Sequence, residues 1–471
     1  MDLLLREVEV LGTRADPTEA EVTSIVLDSR RVTPGALFCC LPGDHADGHD
    51  HAPAALAAGA VALLVERPLD LPVAQAVVGP GQARPTMGRL AAAFWGHPAE
   101  ALTTIGVTGT NGKTTVTHLL RAIFSAAGRP TAVIGTLDGA RTTPESPLLQ
   151  ERLAGALRAG DEVVAMEVSS HALTQARVDG FVFDAAVFTN LSHDHLDYHR
   201  TMEAYFEAKA VLFTPAHTAL GVVNTGDPWG TRLAEAAGVP IVGFSPRDAT
   251  EVRTVPGRTT FEWRGRTVRL PLTGAFHVVN ALAAAATASA LGVDDAGIVD
   301  GLAGAPPVPG RFEVVPTPAP FTVVVDYAHT PDGLAVALDS ARRLAGPGRV
   351  LCVFGCGGDR DRGKRPLMGA AASAGADLVF LTSDNPRGED PRAIIDEVLS
   401  GIADRASVQV EVDRARAIAL AVASARPGDV VILAGKGHET SIEAAGVRTP
   451  FDDREEAARA VAGLARPEVT R

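Results

Sequence analysis

Thr104-Ile105-Gly106-Val107-Thr108-Gly109-Thr110-Asn111-Gly112-Lys113-Thr114-Thr115-Val116 is the stretch from which the fold is read. Thr104 to Val107 has the look of a short buried strand. Val116, Leu119, Leu120, Ile123 and Phe124 recur at helical spacing and predict a helix from Val116 to Ala126. Between strand and helix lie two glycines, an asparagine, a lysine and four threonines. That order suits a phosphate cradle: glycines let backbone N–H groups turn inward, and a helix N-terminus adds positive potential. Lys113 is expected to reach the β- and γ-phosphates, and the Thr114 hydroxyl is placed for Mg²⁺. The common P-loop spacing asks for a glycine six residues before the lysine, and Val107 stands there, so the run is a shorter relative of that pattern.

Outward from the loop, strand-like runs alternate with helices. Thr131 to Ile134, Val163 to Val168, Ala185 to Thr189 and Gly221 to Asn224 read as further strands, which implies a parallel sheet with crossover helices. Upstream, Ile25 to Leu27, Ala36 to Phe38 and Val61 to Val65 read as strands, with a helix from Ala52 to Ala58. Downstream, Ala305-Pro306-Pro307-Val308-Pro309-Gly310 cannot sit inside a helix or a central strand. Beyond it Thr322 to Val325, Val350 to Phe354, Leu378 to Leu381 and Val430 to Leu433 suggest a second doubly wound unit. The expected class is α/β in three domains: residues 1–98, 99–309 and 310–471.

The 471 residues are too many for one core. Hydrophobic residues make up 46% and charged residues 21%, an ordinary globular balance. The net charge of −13, with no basic stretch, argues against a nucleic-acid surface. No apolar run reaches the roughly 18–20 residues that span a bilayer, and Met1 to Glu7 lacks a signal layout. A cytoplasmic monomer without nucleic-acid or membrane partners is expected. Cys39, Cys40, Cys352 and Cys356 lie in apolar or glycine-rich surroundings and read as buried reduced thiols.

Two further runs end strands, where ligands gather in parallel sheets. In Met166-Glu167-Val168-Ser169-Ser170-His171, Glu167 is placed like a metal-holding acid. In Asn190-Leu191-Ser192-His193-Asp194-His195-Leu196-Asp197-Tyr198-His199, the histidines invite a zinc reading. With a phosphate site upstream, His195 ligating Mg²⁺ beside Glu167 is the favoured alternative.

Together these motifs resemble the Mur ligase family over essentially the whole chain. The resemblance rests on Thr108 to Thr115, Met166 to His171, Asp194-His-Leu-Asp197 and Tyr205-Phe-Glu-Ala-Lys209. It continues in Asp326-Tyr-Ala-His-Thr-Pro331, Gly355-Cys-Gly-Gly-Asp-Arg360, Asp384-Asn-Pro-Arg387 and Gly435-Lys-Gly-His-Glu439. It implies a UDP-binding domain, a P-loop ATPase domain and a Rossmann-like domain that closes over ATP. It also implies peptidoglycan precursor synthesis: amide formation between an amino acid and the D-glutamate of UDP-N-acetylmuramoyl-L-alanyl-D-glutamate.

Carried over residue by residue, the resemblance assigns ATP to Gly109, Thr110, Asn111, Gly112, Lys113, Thr114, Thr115, Asn280, Arg311 and Asp326. It assigns the UDP-muramoyl substrate to Leu27, Ser29, Asp44, His45, Ala46, Thr142, Thr143, Ser169, Gln175 and Arg177. Lys209 is expected to carry a CO₂-derived carbamate and, with Thr114, Glu167 and His195, to hold Mg²⁺. Lys113, Lys209, His195 and Glu167 form the expected catalytic set. His277 replaces an asparagine common in the family and puts one nucleotide contact in doubt.

Arg360, Asp384, Asn385, Pro386, Arg387, Gly435 and Glu439 are expected to select the amino acid. A distal carboxylate calls for a planar guanidinium, which Arg387 supplies, and Asp384 and Glu439 can hold a distal ammonium. Diaminopimelate, in its commoner meso form, is therefore favoured over L-lysine or the LL isomer. A folylpolyglutamate- or cyanophycin-type ligase is the rival enzyme, and a nucleotide-gated binding module is the rival of another class.

Overall fold

The computed structural model describes residues 1–6, 8, 10–14, 20–43, 46–139 and 141–464. The first sheet contains β1 (Gly12–Arg14), β2 (Ser24–Val26), β3 (Ala36–Cys39), β4 (Ala60–Val65) and β5 (Ala74–Val77) in the order β1-β5-β4-β3-β2. Only β1 runs antiparallel to its neighbour.

The second sheet contains β6 (Thr103–Thr108), β7 (Thr131–Ile134), β8 (Val163–Glu167), β9 (Ala185–Phe188), β10 (Gly221–Asn224) and β11 (Ile241–Phe244). Its order is β11-β10-β9-β6-β8-β7, and every pair is parallel. The strands read in the sequence fall within about one residue of these bounds, because buried apolar runs bounded by turns leave little choice.

β6 lies between β8 and β9. The loop that leaves its C-terminal end is therefore flanked by Glu167 on one side and by the loop after Phe188 on the other.

The helix after the loop begins at Lys113, three residues earlier than expected from its apolar face. Lys113, Thr114 and Thr115 supply no apolar periodicity, yet they already form its first turn. Val116, Leu119, Leu120, Ile123 and Phe124 are fully buried. Each such burial stabilises the fold by about 1.5–3 kcal/mol. The alanine-rich helix Phe276–Ala290 packs beside them, its small side chains allowing close approach.

A three-stranded antiparallel meander follows the second sheet: β12 (Ala249–Val255), β13 (Arg258–Trp263) and β14 (Arg266–Leu270). The sequence reading did not anticipate it. Its strands bury one face only, through Phe261, Trp263, Val268 and Leu270, and alternate with exposed arginines. Gly257 and Gly265, both with positive φ in the turns, were the readable signal.

The third large sheet holds β15 (Glu313–Val315), β16 (Thr322–Asp326), β17 (Val350–Phe354), β18 (Leu378–Leu381), β19 (Val408–Val410) and β20 (Val430–Ala434), in the order β15-β16-β20-β17-β18-β19. A hairpin of β21 (Ser441–Ala444) and β22 (Val447–Pro450) closes one corner. Inserting β20 between β16 and β17 brings Asp326, Gly435, Gly355 and Asp384 to one sheet edge.

All four cysteines are free and buried, and burial pushes the Cys40, Cys352 and Cys356 thiols up to about 12. Among the described residues no helix is long and apolar enough to cross a membrane.

Candidate active site

The loop from Gly109 to Thr115 is pinned by the segment after β9. Asn190 accepts from Thr110 N at 3.0 Å through its backbone and from Asn111 N at 2.9 Å through its side chain. Thr189 Oγ1 donates to Asn111 O at 2.6 Å. Gly109 and Gly112 both adopt positive φ. A Cβ at Gly109 would overlap the Thr189 hydroxyl, and one at Gly112 the Asn280 side chain, so only glycine fits either place.

Lys113 folds over the loop and donates to Gly109 O at 2.8 Å and Thr110 O at 2.9 Å. Burial lowers the pKa of its ammonium, an effect that Glu167 and Asp194 oppose. Thr114 Oγ1 donates to Glu167 Oε1 at 3.0 Å. Thr136 holds the same carboxylate through its N–H at 2.8 Å and its hydroxyl at 3.1 Å.

Glu167 is 1% exposed, and among the described residues no cationic side chain makes an ion pair with it. A buried carboxylate held only by threonines leaves room for a cation. The neighbouring donors are a hydroxyl and His195, a set that suits Mg²⁺ better than a thiolate-loving metal. Among the described residues no three His, Cys, Asp or Glu side chains form a metal cluster, so Glu167 and His195 would need further ligands of other kinds beside them.

His195 adopts a left-handed backbone, φ 55°, at the start of the short helix Leu196–His199. Burial pushes its imidazole down, against the pull of Asp194, which favours the neutral ring that can act as a ligand. Asp194 would rise on burial, but the neighbouring His195, His329 and Lys364, together with the His195 N–H, hold it down. His329 and Lys364 belong to the third unit, and each stands 4.0 Å from Asp194.

Lys209 is 1% exposed and donates to Gly109 O at 3.0 Å, with its ammonium 4.7 Å from the Tyr205 ring. Burial first, and the Lys113 charge second, hold its pKa well below the usual range. Lys209 lies behind the loop rather than in the cavity that Lys113, Thr114, Glu167 and His195 line.

Asn280, Arg311 and Asp326 line that same cavity. Burial raises Asp326 to about 6, although Arg311 and the N–H groups of Phe312 and Ala328 stabilise its anion. His277 does not line the cavity. It is fully buried, its Nε2 lies 3.2 Å from Arg311 O, and its Nδ1 lies 3.5 Å from Asn280 Nδ2. His277 instead supports two lining residues, Arg311 and Asn280, from behind. Phe276, Tyr327 and His329 do line the cavity and were not singled out in the sequence.

The residues expected to hold the muramoyl dipeptide share one network. Thr143 Oγ1 donates to Glu167 O at 2.9 Å and accepts from Ser169 N at 3.0 Å. Arg177 donates to Thr143 O at 3.0 Å and to Gln175 Oε1 at 2.6 Å. Thr142 receives a bond from Thr136 at 3.1 Å. Glu145, missed in the sequence, gathers Arg177 at 3.1 Å, Arg84 at 3.3 Å and Arg141.

Leu27 lines a second cavity with Trp95, Arg141 and Glu145, between the first unit and the second. Ser29 sits in the neighbouring turn Ser29–Arg31, which Asp28 caps. Ala46 is exposed, and Asp44 and His45 lie outside the described residues.

In the third unit Arg360 is exposed and Arg387 is half-buried, and both flank Gly357. Arg387 donates to Gly358 O at 2.7 Å. Pro386 lies between buried Asn385 and Arg387 on the same loop. Gly435, φ 113°, turns the chain beside Asp384. Asp384 and Glu439 do not stand open for a substrate ammonium alone: Lys436, absent from the sequence expectations, contacts both.

The Mur ligase middle domain model matches residues 107–288, the Mur ligase, glutamate ligase domain residues 310–437, and the Mur ligase family, catalytic domain residues 21–106. A Streptomyces avermitilis protein named UDP-N-acetylmuramoyl-L-alanyl-D-glutamate–2,6-diaminopimelate ligase is 47% identical, over 94% of this chain and 93% of its own. One of the same name from Geobacter metallireducens is 43% identical, over 96% and 98%. A solved structure of a ligase so named superposes with a TM-score of 0.66 at 36% identity, covering 95% of this chain and 96% of that one. The MurF ligase of Thermotoga maritima, solved in complex with ADP, shares the fold at a TM-score of 0.65 and 20% identity, over 95% of this chain and 100% of its own.

Proposed function

This chain belongs to the Mur ligase family, and on that premise we propose that it is an ATP-dependent ligase of peptidoglycan precursor synthesis. It joins meso-2,6-diaminopimelate to the D-glutamate γ-carboxylate of UDP-N-acetylmuramoyl-L-alanyl-D-glutamate. The reading has its support in one observation: residues of the second sheet and of the third line a single cavity, with Lys113 and Glu167 on one wall and Arg311 and Asp326 on the other. The division at residues 98/99 and 309/310 is part of the proposal.

The γ-carboxylate attacks the γ-phosphorus of ATP, ADP leaves, and an acyl phosphate forms. The diaminopimelate amine then attacks the acyl carbon, and phosphate departs. Lys113 exchanges its loop carbonyls for phosphate oxygens and offsets their developing charge. Arg311 adds a second cation from the other wall. The third unit excludes water, which would hydrolyse the acyl phosphate.

Thr114, Glu167 and His195 would hold one Mg²⁺ and a carbamylated Lys209 would help to hold a second; when bound, such ions neutralise phosphate charge. Lys209 is suited to carbamylation because burial, with the Lys113 charge beside it, favours the unprotonated amine: the nitrogen adds to CO₂ and releases one proton. Arg387 and Arg360 would receive the distal carboxylate, and Asp384 and Glu439 the distal ammonium.

The test is phosphate release from ATP with the UDP-muramoyl dipeptide and a panel of amino acids. Stimulation by diaminopimelate is expected. Stimulation by L-lysine instead would overturn the specificity, and stimulation by folate with glutamate would overturn the whole reading.

A further inference from the structure

Lys436 follows Gly435 at the end of β20 and is 0% exposed. Its Nζ lies 3.3 Å from Asp384 Oδ1, 3.2 Å from Asn385 Oδ1 and 3.0 Å from Glu439 Oε2. An ammonium has three N–H donors, and here three oxygens take them. The amine is therefore committed, and it cannot also serve a ligand.

All three partners are residues assigned to the amino-acid site, and they are held to one another as well. Asn385 Nδ2 donates to Glu439 Oε2 at 2.7 Å, and Asn385 Oδ1 accepts from Glu443 N at 3.0 Å. Glu443 lies on β21, whose backbone also grips Arg387. Arg387 N donates to Glu443 O at 2.9 Å, and Ala445 N donates to Arg387 O at 2.6 Å. Arg387 has φ 50°, a conformation that a non-glycine residue keeps only where its surroundings fix it.

The charges decide what such a cluster accepts. Asp384 and Glu439 carry two negative charges and Lys436 one positive, which leaves a single negative charge. One incoming ammonium neutralises it. Without Lys436 two carboxylates would face each other in a buried site, and their mutual repulsion would spread them.

We propose that Lys436 is a positioning residue for the amino-acid substrate. It fixes Asp384, Asn385 and Glu439 as a preformed acceptor for one distal ammonium, in register with Arg387. This rests on the function proposed above.

The experiment compares two amino acids on the full-length protein, with ATP and the UDP-muramoyl dipeptide saturating. One is diaminopimelate. The other is 2-aminopimelate, which keeps both carboxylates and lacks the distal amine. In Lys436→Met the KM for diaminopimelate is expected to rise about tenfold or more, the scale of a lost charged hydrogen bond. The KM for 2-aminopimelate changes less than about threefold, so the preference shrinks. Methylammonium added to Lys436→Ala is expected to return part of it.

Equal weakening of both substrates would mean a purely structural ion cluster and would overturn the proposal, as would no change in either. If Lys436→Met does not fold, Glu439→Gln decides. Lys436 then neutralises Asp384 alone, and the preference must fall; an unchanged preference overturns the proposal. Failure of the functional reading looks different, since the unaltered protein would then not use diaminopimelate at all.

Discussion

Arg311 Nη2 donates to Thr114 Oγ1 at 2.8 Å across a sequence separation of 197 residues. The same hydroxyl donates to Glu167, so the residue that follows the proline-rich linker is wired into the phosphate loop. The Arg311 guanidinium lies 4.4 Å from the Tyr327 ring centroid, and its buried Nε has no acceptor among the described residues. An orphan donor on a cavity wall fits a phosphate oxygen.

Arg311→Ala should therefore raise the KM for ATP by about tenfold to a hundredfold, the range of a charge-assisted hydrogen bond. Arg311→Lys should rescue little, because an ammonium reproduces neither the ring stacking nor the paired donors. Titration of ATP in the phosphate-release assay measures both. An unchanged KM in the alanine variant would refute the assignment.

Lys113→Ala should cost about 10²–10³ in kcat while leaving the melting temperature close to that of the unaltered protein. Among the described residues its ammonium bonds only to loop carbonyls. Full turnover in this variant would sink the phosphoryl-transfer mechanism.

Lys209 offers a test that does not depend on substrates. Burial lowers the pKa of its amine, which should take up CO₂, so intact-mass measurement in bicarbonate should show one added CO₂, absent from Lys209→Ala. Depleting CO₂ should lower activity, and a small carboxylate such as formate should restore part of it in the alanine variant. Activity indifferent to both treatments would argue against the carbamate.

His277 predicts a pH effect on stability. Burial holds its folded pKa at about 4, below its ordinary 6.5. Between those values the unfolded chain binds the extra proton, so stability is present above pH 6.5 and is lost as pH falls toward 4. His277→Asn should remove about 2 kcal/mol of that loss. His118 and His438, also held at about 4, should keep part of the slope. Melting temperatures of both proteins at pH 7 and pH 4.5 test this; identical losses would contradict it.

Arg414 and Asp453 are both fully buried and paired at 2.6 Å, and Arg414 also donates to Ala434 O at 3.0 Å. Asp453→Ala leaves the guanidinium without its counter-charge. It should cost about 3–5 kcal/mol in denaturant unfolding. A loss below about 1 kcal/mol would mean that water reaches the pair.

Much of the fold was legible because it is local. A buried strand, a glycine turn and an amphipathic helix each advertise themselves within a few residues, and so do the linker prolines. Glu167 was legible as the residue that ends a buried strand, and His195 as part of the segment that follows another. The β12–β14 meander was not, since strands with one wet face mix charges into their pattern. The late helix start came from the same dependence on apolar periodicity, which Lys113 to Thr115 do not carry.

The sequence by itself determined the phosphate loop, the α/β class and the chemical types present at each strand end. Only the tertiary structure decided which of them meet. Strand order set β6 between β8 and β9, and β20 between β16 and β17. That order, with the packing of the third unit on the second, brought Arg311 to Thr114, hid His277 behind Asn280, and gave Asp384 and Glu439 a shared lysine. Periodicity reports on neighbours in the chain. Ion pairs and hydrogen bonds across 50 to 200 positions depend on topology, which no local pattern encodes.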